Sequence, residues 1–143
     1  MAKLNPYLHF DGTCREAMEF YKEVLGGELE ISTVAESGMA DKMPPDMPKV
    51  DPNKIMHSAL KTDTWTLMAS DMMDPSSFKI GDNVDLCLAC ESKEEIETLY
   101  EKLSEGGKIF MKLEEQFFGW FAQFTDKFGT EWMLQFGEGE KKA

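Results

Sequence analysis

One pattern occurs twice in this chain, and it limits the fold more than any other feature. Thr13, Glu16, Ala17, Phe20, Tyr21 and Val24 correspond to Ser92, Glu95, Ile96, Leu99, Tyr100 and Leu103 at a constant offset of 79. Each set opens with a hydroxyl residue followed three places on by glutamate. That is the form of a capping box, in which the hydroxyl oxygen and the carboxylate each satisfy a free backbone N–H at a helix start. Apolar residues follow at helical spacing, and Gly26-Gly27 and Gly106-Gly107 end the two stretches, slipped by one residue against the offset. The interval is too long for a solenoid repeat, so two helices of one design predict a duplicated domain.

Strand periodicity completes each copy. Leu4 to Phe10 alternates, with Leu8 and Phe10 on one face and Asn5, Tyr7 and His9 on the other, before Asp11-Gly12 turns the chain. Glu28 to Glu36, Lys54 to Thr62 and Thr64 to Ser70 are the next expected strands, and the proline-rich insert Gly38 to Pro52 is expected to be loop. In the second copy Asn83 to Cys90 places Val84, Leu86 and Leu88 on one apolar face, and Lys108 to Glu114 follows the helix as a strand. The stretch Gln116 to Phe136 holds eight of the sixteen aromatic side chains and is split by the polar turn Asp126-Lys127-Phe128-Gly129. Alternation on both sides predicts a β-hairpin, with Phe118, Trp120, Ala122 and Phe124 on one face of its first strand. In its second strand Trp132, Leu134 and Phe136 are expected to pack on a helix, while Glu131, Met133 and Gln135 face a cavity. The pattern predicts an α+β fold of paired βαβββ units, residues 1–75 and 80–137. Together they form a single domain over 1–143, with a frayed tail at 138–143.

At 143 residues the chain can bury roughly 70% of the surface its unfolded form would expose, so no disulfide is needed. A formal charge of −12 opposes binding to nucleic acid or to an anionic membrane face. Neither an apolar run of about 18 residues nor a charged-then-apolar leader is present, which points to the cytoplasm. Three cysteines agree with a reducing compartment. Cys87 and Cys90 have CxxC spacing, but in a strand i and i+3 point to opposite faces, so inert, buried thiols are expected in place of a redox or zinc half-site.

The stretches PYLHFDGTCREAMEFYKEVLGGE, IMHSAL, LMASD, LSEGGKIFMKLEEQFFGW and FTDKFGTEWML carry a resemblance that covers nearly the whole chain outside the Gly38 to Pro52 insert. They resemble the PhnB-like branch of the glyoxalase/bleomycin resistance, or vicinal oxygen chelate, superfamily, a branch often labelled 3-demethylubiquinone-9 3-methyltransferase. The resemblance implies a cupped mixed sheet, a small-molecule ligand in a cavity built by both halves, and a homodimer. The methyltransferase label has no counterpart in a glycine-rich strand-to-helix turn, because Gly26-Gly27 and Gly106-Gly107 end helices, and no cofactor is expected.

In the metal-using members that the chain resembles, ligands sit on the first and last strands of each unit. Carried over by position, those places fall at Asn5, Met68, Asn83 or Asp85, and Met133. Two thioethers and two weak oxygen donors suit neither zinc, nickel, iron nor magnesium, so no catalytic metal is expected, and these residues become candidates for ligand binding. His9, His57, Asp85, Cys87 and Gln135 are expected to face the same cup. A histidine near a carboxylate works as a general acid or base near neutral pH, which makes His9, His57 and Asp85 the catalytic candidates and Cys87 and Gln135 further ligand contacts. The competing reading has both imidazoles making fixed hydrogen bonds at a half-buried sheet. Trp120, after Gly119, either stacks on a flat ligand or packs in the core.

Met39, Met43 and Met47 in the insert, with Met68, Met72 and Met73, read either as an adaptable apolar lining or, for Met43 and Met47, equally as loose loop residues. Ser70-Asp71 reads as a strand end with a turn-forming carboxylate, and the acidic runs Glu91 to Glu97 and Glu138 to Glu140 as solvated surface. The leading functional expectation is a protein that binds a small, partly apolar molecule without a catalytic metal. One alternative is a metal-dependent lyase or dioxygenase using His9, His57 and Asp85 or Gln135. Another is a non-catalytic resistance protein that sequesters a planar drug between aromatic walls.

Overall fold

The computed structural model describes residues 1–42, 44 and 50–137, in two compact units, Met1–Lys79 and Ile80–Ala143. Met43, Met47, Glu138 to Glu140 and the tail at 138–143 lie outside the described residues, as does the side chain of Met39. In the first unit β1 (Tyr7–Phe10), α1 (Cys14–Leu25), β2 (Glu28–Thr33), α2 (Val34–Ser37), α3 (Met39–Lys42), β3 (Ile55–Lys61) and β4 (Thr66–Asp71) follow in order. The second contains β5 (Leu86–Ala89), α4 (Lys93–Ser104), β6 (Lys108–Gln116), β7 (Gly119–Thr125) and β8 (Glu131–Phe136). The sheet orders are β1-β4-β3-β2 and β5-β8-β7-β6. In each, the outer pair β1–β4 or β5–β8 is parallel and the rest antiparallel. The duplication expected from the offset of 79 is thus present as two four-stranded mixed sheets of identical order.

The paired glycines have a shared cause. A Cβ on Gly27 would lie 2.6 Å from the carbonyl oxygen of Lys61, at the end of β3, and Gly27 has φ +98°. A Cβ on Gly107 would run into the carbonyl oxygen of Thr125, at the matching end of β7. In both units the chain leaving the helix passes against the backbone of the third strand, and a side chain there would separate the two.

Helix α1 buries Cys14, Ala17, Met18 and Tyr21 against its sheet, where Phe10, Leu60, Leu67 and Ala69 are also buried. The expected capping box at Thr13 does not form, since the threonine side chain makes no cap hydrogen bond. Asp71 replaces it: one carboxylate oxygen accepts the Cys14 N–H at 3.0 Å and the other accepts the Ile55 N–H at 2.9 Å. Asp71 is only 4% exposed, so the expected turn-forming strand end is in fact a buried tie between three elements. At α4, Ser92 accepts the Glu95 N–H at 3.0 Å, but the Glu95 carboxylate accepts from Glu91 and not from Ser92. A complete box does form at Thr33 and Glu36, where it ends β2 and starts α2, so the expected strand to Glu36 stops at Thr33.

Other boundaries shift for local reasons. β1 begins at Tyr7, not Leu4, because Pro6 has no N–H to add to the ladder, although its carbonyl accepts from Met68 at 3.0 Å. β5 begins at Leu86, so Asn83 and Asp85 precede the strand and Val84, 70% exposed, leaves the expected apolar face. The insert is not loop throughout, since Met39–Lys42 form one helical turn. β6 runs on to Gln116. Among the described residues no helix is long and apolar enough to cross a membrane.

The thiols divide differently from expectation. Cys14 and Cys90 are buried, but Cys87 is exposed, on the sheet face that α4 does not cover. Burial pushes the Cys14 thiol up to about 12, and the Ser58 hydroxyl lies 3.5 Å from its sulfur. Ser58 gives its own proton to the Ala69 carbonyl at 2.7 Å, so the thiol is the donor between these two. Burial also pushes Cys90 up to about 12. Iodoacetamide treatment of the native chain should therefore alkylate Cys87 and spare Cys14 and Cys90, as read by peptide mass spectrometry. Equal labelling of Cys14 would contradict this packing.

Candidate functional site

The first unit gathers its polar chemistry on the sheet face away from α1. Successive strand residues alternate between faces, so Tyr7 and His9 share this face with Met68 and Ser70 on β4, with His57 and Ala59 on β3, and with Glu30 and Ser32 on β2. In register, Tyr7 pairs with Met68 and His9 with Ser70, while Ala59 pairs with both Met68 and Glu30, and His57 with Ser32. β1 and β3 are separated by β4, a span of about 10 Å at ordinary strand spacing. The Tyr7 ring bridges it, its centroid 5.1 Å from that of His9 and 6.1 Å from that of His57. Both imidazoles are exposed, not half-buried as the sequence suggested. The arrangement holds two imidazoles beside a phenol, with the Met68 thioether as an adaptable apolar floor. Asn5 precedes β1 and is exposed.

In the second unit the face away from α4 carries a row of Cys87, Met133 and Gln123, and a second row of Ala89, Gln135 and Phe121. Cys87, Met133 and Gln135 therefore come together, as the period-two reading of β8 requires. Asp85, just before β5, accepts a 2.6 Å hydrogen bond from the Gln123 side-chain amide. Glu131 is hydrogen-bonded to Asp85. That bond, with partial burial and the negative charges of Asp85 and Asp82, holds the Glu131 carboxyl above the usual carboxylate range. A cleft of about 320 Å³ lies here, lined among others by Asp82, Lys108, Gln123 and Glu131.

The sequence puts Glu131 on the cavity-facing side of β8 with Met133 and Gln135, but does not single out Gln123. The alternation on β7 and β8 does place Gln123 beside Met133, and that signal was available. Asn83 is exposed in the turn before β5. Trp120 stands apart from Cys87, Met133 and Gln135: it lies on the opposite face, with the Lys93 ammonium 4.7 Å from its ring centroid.

A model of the family described as 3-demethylubiquinone-9 3-methyltransferase matches residues 2–135. The chain belongs to this family. A relative, Protein YjdN of Escherichia coli (strain K12), is 33% identical over 139 residues, covering 92% of each chain. The crystal structure of protein PA1353 from Pseudomonas aeruginosa is 34% identical with a TM-score of 0.76, over 96% of this chain and 98% of that one. A putative 3-demethylubiquinone-9 3-methyltransferase, PhnB protein, from Bacillus cereus is 25% identical with a TM-score of 0.74, over 95% and 100%. At 15% identity and a TM-score of 0.55, a glyoxalase/bleomycin resistance protein/dioxygenase family enzyme from Burkholderia phytofirmans PsJN shares the fold over 92% of this chain and 96% of its own. The PhnB-like family expected from the sequence is what these matches show, on the fold of the glyoxalase/bleomycin resistance proteins.

The family's description implies a methyl donor, and the residues do not fit a nucleotide-type one. The β1–α1 connection is Asp11-Gly12-Thr13, without the glycine-rich turn that lets a backbone approach such a cofactor. The first helical N–H, at Cys14, is already taken by the Asp71 carboxylate. The metal implied by other branches of the fold meets the same difficulty. Met68 and Met133 are thioethers, and Asn5 and Asn83 offer only carboxamide oxygens outside the strands. Among the described residues no three His, Cys, Asp or Glu side chains group so as to hold a metal ion.

Proposed function

We propose that this protein binds a small, partly apolar molecule against Tyr7, His9 and His57 on the first sheet, and that the two imidazoles exchange protons with it without a metal ion. The convergence of those three rings beside Met68, on a face α1 does not cover, carries the proposal. An aromatic ring and a thioether favour an apolar body, and the imidazoles favour a hydroxyl or other titrating group on it. In the second unit Cys87, Met133 and Gln135 form a matching apolar-polar surface, and Asp85, held by Gln123, is a carboxylate available for the same kind of exchange. Asn5 and Asn83, ahead of β1 and β5, are amide contacts at the rims. The reading places the protein in the cytoplasm as a homodimer, in keeping with three cysteines outside any disulfide and with sheets that end in the strands β2 and β6.

A suitable probe is 4-nitrophenol, which pairs an apolar ring with a titrating hydroxyl and whose phenolate absorbance reports where the proton is. Mixing it with the full chain near neutral pH should give saturable binding with a change in the phenolate band. His9→Ala and His57→Ala should each weaken that binding about tenfold, in line with the loss of one charge-assisted hydrogen bond. Absence of saturable binding, or binding indifferent to both substitutions, would defeat the proposal.

A further inference from the structure

The β6–β7 connection breaks an ordinary rule of hairpin chemistry. Two-residue turns favour asparagine, aspartate and glycine, whereas here the turn residues are Phe117 and Phe118. Phe117 is 100% exposed and gains no benefit of burial, while Phe118 is 43% exposed. Their rings meet edge to face at 5.1 Å, and Phe118 meets Phe121 edge to face at 5.7 Å, which holds the pair in place at the tip. A wholly exposed aromatic ring at a hairpin tip has little packing return, which marks Phe117 as a candidate for binding.

Beside this tip Glu115, Trp120 and Phe136 sit in one cross-strand row on the α4 side of the sheet. With Phe117 and Phe118 they line a cavity of about 360 Å³. Aromatic faces carry negative quadrupole charge, a carboxylate stands at the rim, and the whole chain carries −12, so all three fields favour a positive guest. The row already attracts one: the Lys93 ammonium lies 4.7 Å from the Trp120 ring centroid, within cation–π range. Among the described residues Lys93 is otherwise tied by a half-exposed ion pair with Glu97 at 3.6 Å, so moving it aside costs little.

We propose that the Glu115–Trp120–Phe136 row, walled by Phe117 and Phe118, is a binding site for a flat organic cation, and that Lys93 is the tethered competitor for the indole face. The site lies on the opposite side of the second sheet from Cys87, Met133 and Gln135, and its occupancy does not depend on the proton chemistry of His9 and His57.

The test uses the full chain and two probes of one shape, 1-methylquinolinium chloride and its neutral isostere 1-methylnaphthalene, with affinities measured by calorimetry. The cation should bind about tenfold more tightly than the isostere. Glu115→Gln, an exposed change that leaves the core alone, should weaken the cation severalfold and leave the isostere unchanged. Lys93→Met should tighten the cation, the opposite of what general loss of structure would do, and His57→Ala should leave it as it is. Equal affinity for the two probes, or Lys93→Met binding the cation no better than the parent chain, would overturn the proposal. So would sedimentation showing that Phe117→Ser with Phe118→Ser splits a dimer into monomers, because the aromatic tip would then be covered by a second copy of the chain.

Discussion

Replacing Asp71 with alanine should destabilise the fold by about 3–5 kcal/mol, the sum expected for two hydrogen bonds to a buried carboxylate and the two backbone N–H groups left behind. Urea unfolding of the full chain, followed by circular dichroism, reads the loss directly. The size follows from what the carboxylate joins. One oxygen holds the first N–H of α1, at Cys14, and the other holds the first N–H of β3, at Ile55, while Asp71 itself closes β4. Helix, third strand and fourth strand are fixed to one another through a single side chain. Asp71→Asn keeps one acceptor oxygen and turns an amide N–H toward the second donor, so it should recover less than half of the loss. The functional consequence lies two residues beyond Ile55: His57 should lose its fixed relation to Tyr7, and 4-nitrophenol binding should fall along with stability. An Asp71→Ala protein with an unchanged urea midpoint would mean that the tie is not formed.

Asp126→Ala should cost a comparable amount, about 3–5 kcal/mol, in the second unit. Its Oδ1 accepts the N–H groups of Phe128 and Thr130 at 2.8 and 3.0 Å, which shapes the β7–β8 turn. Its Oδ2 accepts the indole N–H of Trp132 at 2.8 Å, and that ring is 2% exposed, so water cannot stand in for the lost partner. The indole term can be separated by a double-mutant cycle. In a Trp132→Phe background no indole N–H remains to be orphaned, and the cost of Asp126→Ala should shrink by about 1–2 kcal/mol. A cycle with no coupling would remove the indole bond from the account and leave only the turn.

Much of this was legible in the sequence, because periodicity reports which side of an element is buried. The phase of Trp132 and Leu134 against Met133 and Gln135 gave both faces of β8 correctly, and the helix stripes at offset 79 gave the duplication. What remained hidden depends on partners distant in sequence. Asp71 sits 57 residues from Cys14 and 16 from Ile55, so nothing local marks it as a cap, while Thr13-x-x-Glu16 looks like a box that never closes. The true box at Thr33 and Glu36 is masked in the sequence because β2 reads as strand up to and through it. Asp85 raises the Glu131 carboxyl from 46 positions away, and only the register of β8 beside the approach to β5 brings them together. Trp120 lies in the phase of the buried face, as alternation from Trp132 through the hairpin register required, yet the turn ahead of it made an exposed ring equally readable.

The proposal that Tyr7, His9 and His57 form a metal-free binding surface is tested most directly by a high-resolution crystal structure of untagged protein taken straight from cells. The account predicts electron density for a small organic molecule in contact with both imidazoles and the Tyr7 ring, with no anomalous peak of a transition metal between them. A metal ion ligated by His9 or His57 would contradict it.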